Sequence, residues 1–225
     1  MSQGILVFIE ERQGTVKKPS LEALSAARKL ADDLKEQVTA FYIGAGDPSE
    51  LLASYGADKV VRAQHELLAS YSAEGFAAAL SDYARNTSPR IVLSSATAMG
   101  RDFIPRAAAR LRVGLAQDCT EARIVEGQQM ECVRPIYAGK AYSTVRLSMT
   151  PAFATLRPNV FSLGAAASGR SAAVETFTPA LSADRIRARV VEIKASAGQK
   201  VVLTEANIVV SGGRGLKGPE NFPMI

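Results

Sequence analysis

Short apolar runs alternate with longer segments in which apolar residues recur at helical spacing through the first half of the chain. Ile5-Leu6-Val7-Phe8-Ile9 is continuously apolar, the pattern of a strand covered on both faces. After a turn around Gly14, Ser20 is placed to cap a helix whose Leu21, Leu24, Ala27, Ala31 and Leu34 repeat near the helical period. Val38 to Ile43 reads as the next strand, ended by Gly44-Ala45-Gly46-Asp47-Pro48; a brief helix then carries Leu51 and Leu52, and Lys59-Val60-Val61 forms a third strand. Phe76, Leu80 and Ala84 lie on one face of a further helix that stops before Ser88-Pro89, and Arg90-Ile91-Val92-Leu93-Ser94 reads as a fourth strand. Phe103, Ala107 and Leu111 stack likewise on the helix after it, with Pro105 expected in the first turn, where an N–H has no partner to lose. Strand and helix alternating through short links imply right-handed crossovers, hence an α/β fold with a parallel sheet and flanking helices.

From about Thr120 the pattern changes. Thr120 to Val125, Met130 to Tyr137, Tyr142 to Leu147 and Phe153 to Leu156 are strand-like and separated by short Gly or Pro turns, which predicts an antiparallel extension of the sheet. Ser162 to Ser171 is a Ser, Gly and Ala loop, and Ile186 to Ile193 reads as a strand. Ala195-Ser196-Ala197-Gly198 has the composition of a boundary. Beyond it, Ile208-Val209-Val210-Ser211-Gly212-Gly213 opens a new strand-to-loop unit, and Pro219-Glu220-Asn221-Phe222 begins a helix. The expected organisation is therefore an α/β domain over residues 1–195 and, over 196–225, a linker with the first strand and loop of a second domain. One strand, one loop and part of a helix bury too little surface to fold alone.

Charge narrows the function classes. With 27 basic and 22 acidic residues the formal charge is +5, but Arg and Lys are scattered singly, without the clustered basic face that nucleic-acid binding requires, so no nucleic-acid partner is expected. The apolar runs fall far below the roughly 18 to 20 residues of a membrane span, and the N-terminus has no signal-peptide pattern. The expectation is a protein that is not membrane-embedded, cytoplasmic in a bacterium or of the mitochondrial matrix in a eukaryote. Cys119 and Cys132 are too few for a disulfide framework and read as reduced, buried thiols.

Candidate chemistry is sparse. In Ser211-Gly212-Gly213-Arg214-Gly215-Leu216-Lys217-Gly218, glycines after a buried strand can turn backbone N–H groups toward an anion at a helix N-terminus, and Arg214 can add a charge-assisted contact to phosphate. A plain turn with a solvated Arg214 explains the same residues. The Gly-Lys-Ser/Thr ending of a Walker A loop is absent, and Gly215-Leu216 stands where an ATP pyrophosphatase loop has Asp-Ser. Ser94 to Asp102 joins strand to helix at the carboxyl edge of the sheet, where open α/β sheets bind ligands; its other reading is a capped helix start with Arg101 and Asp102 in surface contacts. His65 is the single histidine, read as exposed and non-catalytic, and no His/Cys pattern suits a metal. Asp32-Asp33 read as a solvated helix face beside Lys29 and Lys35.

Five segments in order carry a resemblance. They are the first strand with Glu10-Glu11, Ala96-Thr97-Ala98-Met99-Gly100-Arg101-Asp102 leading to Pro105 through Leu111, Arg134-Pro135-Ile136-Tyr137-Ala138-Gly139-Lys140-Ala141, Thr155-Leu156-Arg157-Pro158, and Ser211 through Lys217. Together they resemble the alpha subunit of electron transfer flavoproteins, the FixB-like family. The resemblance implies an adenine-nucleotide-hydrolase-like, Rossmann-like first domain, then the start of a second α/β domain that holds FAD, and a beta subunit as partner, itself the binder of AMP. It implies an electron carrier, not an enzyme with a substrate of its own. Electrons would come from acyl-CoA or related dehydrogenases, as in fatty acid beta-oxidation, and pass to electron transfer flavoprotein-quinone oxidoreductase or another acceptor. Arg214 matches the family's arginine at the FAD site, most flavin contacts lying in sequence beyond this chain. The Tyr137 to Leu147 hairpin is expected to help dock the beta subunit, with Ile136 and Val145 as positions to test. The competing reading is an adenine-nucleotide-binding module of universal-stress or ATP-pyrophosphatase type.

Overall fold

The computed structural model describes residues 3–193, 206 and 208–225. It separates into two compact units, Met1–Ile193 and Lys194–Ile225. In the first unit, strand β1 (Ile5–Ile9) leads into a small hairpin, β2 (Glu11–Arg12) and β3 (Thr15–Val16), and then helix α1 (Lys18–Leu34). There follow β4 (Val38–Tyr42), α2 (Ser49–Ser54), β5 (Lys59–Ala63), α3 (Ala73–Thr87), β6 (Ile91–Ser95) and α4 (Ala98–Leu111). The remaining elements are strands: β7 (Leu115–Cys119), β8 (Glu121–Val125), β9 (Gln129–Ile136), β10 (Ala141–Leu147), β11 (Ala152–Leu156) and β12 (Ala173–Phe177).

Seven strands form one sheet in the order β12-β5-β4-β1-β6-β11-β7, with every neighbouring pair parallel. Period-two alternation sends successive side chains into two separate cores, which is why the strands read as unbroken apolar runs. Ile5, Val7 and Ile9 pack with Leu24, Ala27 and Leu34 of α1; Leu6 and Phe8 point to the opposite face, among Phe76 and Leu80 of α3 and Phe103 of α4. Phe8 meets Phe103 edge-on at a centroid distance of 4.6 Å, and both touch Phe76, so aromatic contacts tie two helices to the central strand.

The helical periods expected from the sequence appear as buried faces, but two details differ. Helix α1 starts at Lys18 with Pro19 in its first turn; Ser20 lies inside that turn and its Oγ accepts from the Glu10 N–H at 2.8 Å, joining the strand end to the helix instead of capping it. Pro105 sits in the middle of α4, where it removes an interior hydrogen bond; burial of Phe103, Ile104, Ala107 and Ala108 around it holds the helix.

The second half departs further from expectation. β8, β9 and β10 form a separate antiparallel sheet, packed through Met130 and Cys132 onto the α1 side of the core. β11 instead joins the main sheet, parallel between β6 and β7. Its Phe153 and Ala154 reach opposite cores, so it is a central strand. β7 and β12 are further strands that the sequence pattern did not suggest. Ile186 to Ile193 forms no strand, and Val190, Val191 and Ile193 are exposed there. The expected boundary at Ala195 to Gly198 lies outside the described residues. In the second unit, Ile208, Val209 and Val210 are exposed and belong to no sheet, and Pro219–Met224 is a 3-10 helix. Both cysteines are free and buried. Among the described residues no helix is long and apolar enough to cross a membrane.

Candidate functional site

The chain leaves β1 for β4 and β5 on one side, then returns to place β6 on the other. The carboxyl ends of β1 and β6 therefore frame the crevice where open α/β sheets take a nucleotide. Here Glu10 occupies it. Its side chain is buried; Oε2 accepts from Thr97 Oγ1 at 2.5 Å and Oε1 from Arg12 Nε at 2.9 Å, while its carbonyl accepts from the Lys17 N–H. The hydroxyls that made this segment a phosphate candidate are spent internally. Thr97 caps α4 by accepting from the Gly100 N–H at 3.1 Å, and Ser95 Oγ donates to the Pro19 carbonyl at 2.5 Å.

Gly100 is required by close packing: a Cβ there would fall 2.0 Å from the Ser95 carbonyl oxygen. Arg101 pairs with Asp118 at 3.3 Å, and Asp102 accepts from Tyr71 Oη at 2.7 Å and pairs with Arg106, the surface-contact alternative read from the sequence. Burial first, and then the hydrogen bond to Asp102, raises the Tyr71 phenol above its ordinary range, so it stays a neutral donor. A phosphate at this edge would face the Glu10 and Asp102 carboxylates.

His65, expected to be exposed, is half-buried. Its Nδ1 accepts from the Leu67 N–H at 3.1 Å, so it caps a 3-10 turn at Glu66–Leu68. Asp32 pairs with Arg28 on the surface of α1.

At the β7 end of the sheet the polar groups are arranged differently. Two residues of β7, Gln117 and Asp118, oppose Thr155 alone, because the register shifts between Ala154 and Leu156. Such a bulge re-aims a side chain. Asp118 takes a left-handed backbone with φ of 58° and donates its N–H to Thr155 Oγ1 at 3.0 Å. Its carboxylate receives Arg157 through two parallel bonds, 3.1 Å from Nε and 2.7 Å from Nη2, with Arg101 behind. These bonds from Arg157 hold the Asp118 carboxyl below the usual carboxylate range. Asp118, Arg157 and Arg134 line an open hollow of about 550 Å³, rimmed by Pro135, Ile136, Tyr137, Ala138 and Gly139.

On the neighbouring small sheet, Glu131 is gripped from both flanking strands, by Arg123 at 2.5 Å and Arg146 at 3.1 Å. These bonds keep its carboxyl below the usual range and pin the register of all three strands.

The glycine-arginine segment of the second unit is exposed. Arg214 to Leu216 forms a 3-10 turn, and a Cβ added at Gly213 or Gly215 would meet nothing within 4 Å. A ligand can approach the main chain there, beside an exposed guanidinium. The glycines serve space and not left-handed geometry: Gly212 makes room for Leu216, and the positive φ in the segment belongs to Lys217. The following 3-10 helix is too short to act as the helical anion site the sequence suggested. As part of a flavin site, the segment fits in one respect only, an approachable backbone with one cation.

A family model for the electron transfer flavoprotein domain matches residues 5–182. An electron transfer flavoprotein subunit alpha of Thermoanaerobacterium thermosaccharolyticum is 37% identical over 224 residues, covering 98% of this chain and 68% of its own length. A protein FixB of Clostridium saccharobutylicum is 36% identical, with 99% of this chain and 67% of its own length covered. An acryloyl-CoA reductase electron transfer subunit beta of Anaerotignum propionicum is 30% identical, over 94% of this chain and 65% of its length. With that match across the α/β unit and relatives aligned over nearly every residue, the chain belongs to the electron transfer flavoprotein family.

Proposed function

We propose that this chain is the alpha-type subunit of a heterodimeric electron carrier, in which FAD accepts electrons from acyl-CoA or related dehydrogenases. The carrier passes them to a quinone oxidoreductase or another acceptor and has no substrate turnover of its own. The observation that carries this reading is identity at the 37% level over 98% of the chain with an electron transfer flavoprotein alpha subunit. The structure supports it indirectly. Glu10 fills the nucleotide crevice of the first unit, which supports reading residues 1–195 as a scaffold, with the redox group held by the domain proposed to begin within 196–225. FAD, when bound, supplies the electron chemistry. Arg214 would pair with its pyrophosphate or stabilise negative charge on the reduced ring, which raises the flavin potential.

The partner is a beta-type subunit, with any AMP bound there. The hairpin from Tyr137 to Leu147 contributes to that contact, with Tyr142 exposed on its outer face. Val145 is a poor position for testing this, since it pairs with buried Cys132 on the inward face. Such a carrier acts in the bacterial cytoplasm or the mitochondrial matrix. The deciding experiment is purification of the full-length protein with its partner subunit and measurement of FAD content and flavin potential for wild type and Arg214→Ala. Lower FAD content or a more negative potential in the variant supports the assignment; unchanged values remove Arg214 from the flavin site.

A further inference from the structure

The hollow beside β7 holds more positive charge than it balances. Asp118 is the single carboxylate lining it, and Arg157 and Arg101 both pair with that group. Arg134, on β9, is the second guanidinium lining the hollow beside Arg157, while Arg101 reaches Asp118 from outside it. Its Nε is buried and has no hydrogen-bond partner. A buried donor left unsatisfied is unusual in a folded protein, and it leaves the Arg134 charge without a partner among the described residues of the chain. The planar guanidinium offers parallel N–H groups, the geometry a carboxylate takes up through both oxygens.

The surroundings argue for a carboxylate borne on a protein. Tyr137 stands at the rim with 79% of its surface exposed, and Tyr142 on the adjoining strand is 66% exposed. Arg with exposed Tyr is the composition of interface residues that dominate binding. The bulge at Asp118, held by Thr155, fixes Arg157 in a two-bond grip, so one wall of the hollow is already organised.

We propose that this hollow is a receptor for an Asp or Glu side chain of the second subunit, which seats between Arg134 and Arg157 and pairs with the Arg134 guanidinium. The proposal rests on the heterodimer reading above and adds to it a place and a chemistry of contact. Arg157 stays bound to Asp118, and the incoming carboxylate supplies the negative charge that Asp118 alone does not.

The test uses the full-length chain and its second subunit, with affinity measured by titration for wild type, Arg134→Glu and Arg85→Glu. Arg85 lies on α3, paired with Asp82, and its reversal makes the same change in net charge outside the hollow. Arg134→Glu should weaken assembly by about 30-fold or more, since it replaces one partner of a desolvated pair with a like charge, and Arg85→Glu by about 3-fold or less. Equal losses in the two variants, or none at Arg134, would overturn the proposal while leaving the heterodimer standing. Failure of the wild-type chain to form any complex would instead remove the heterodimer and this contact together. The conservative Arg134→Lys variant guards against misfolding. Treated with a water-soluble carbodiimide in the complex, its introduced amine should form an amide with one acidic side chain of the second subunit, located by mass spectrometry. An amide formed only within the first chain, or none, contradicts the proposed occupant.

Discussion

Two regions of one sheet treat their polar groups in opposite ways. At the β1/β6 crevice the buried polar groups turn inward: Glu10 takes Thr97 and Arg12, Ser95 takes the Pro19 carbonyl, and Gly100 lets the helix close on the strand. At the β7 edge one carboxylate, Asp118, pairs with Arg157 and Arg101, and Arg134 lines the same open hollow as Asp118 and Arg157. The first region has the topology of a nucleotide site with its chemistry spent on packing. The second lies off the topological switch point yet keeps unspent charge. The proposed recognition site lies at the edge, while the crevice is closed by packing.

The comparison can be broken most forcefully at the crevice. Gly100→Val should destabilise the protein by about 3 kcal/mol or more, because its Cβ meets a backbone carbonyl that cannot yield, and thermal or urea unfolding would measure it. A loss under about 0.5 kcal/mol would mean the crevice is looser than described. Phe103→Ala, beneath the same helix, should cost about 3 to 5 kcal/mol by the same measurement, through loss of packing against Phe8 and Phe76. Glu10→Ala leaves the Thr97 and Arg12 donors without their acceptor and should cost about 1 to 3 kcal/mol. Calorimetry with AMP on the wild-type first unit should give no binding heat, whereas tight binding would return the crevice to nucleotide recognition.

The β7 edge is sharpened by pH. The Asp118 carboxyl is lowered in the folded state, so its stabilisation is present above the unfolded carboxylate value and lost as pH falls through the folded one. Glu131 behaves likewise. Wild type should therefore lose stability progressively below about pH 4, and Asp118→Asn should be less stable than wild type at neutral pH with the difference shrinking in acid. A difference that persists unchanged at low pH would show that Asp118 acts through shape and not charge.

Legibility in the sequence followed the covering of each element. β1, β4 and β6 are covered on both faces, and the buried positions of α1 and α3 recur at one period, so their apolar patterns suffice to name them. β12 is an edge strand whose Val174 and Thr176 face solvent, and β7 carries Gln117 and Asp118 on a bulge, so neither shows a clean period. β11 looked like one more hairpin strand because its neighbours in sequence are antiparallel; only its pairing with β6 and β7 makes it central. Glu10 and Arg134 stood within segments carrying the family resemblance, but their roles depend on partners 87 residues away in one case and on a missing partner in the other. Arg214 was singled out by its glycines, which the structure uses for space and not for left-handed turns.

The most direct measurement is the flavin content of the full-length protein copurified with its second subunit, read from the visible spectrum and from the nucleotide released on denaturation. The account predicts a yellow complex with one FAD per heterodimer, bleached on reduction. A colourless chain that copurifies with no second subunit and carries adenine nucleotide in its first unit would contradict it.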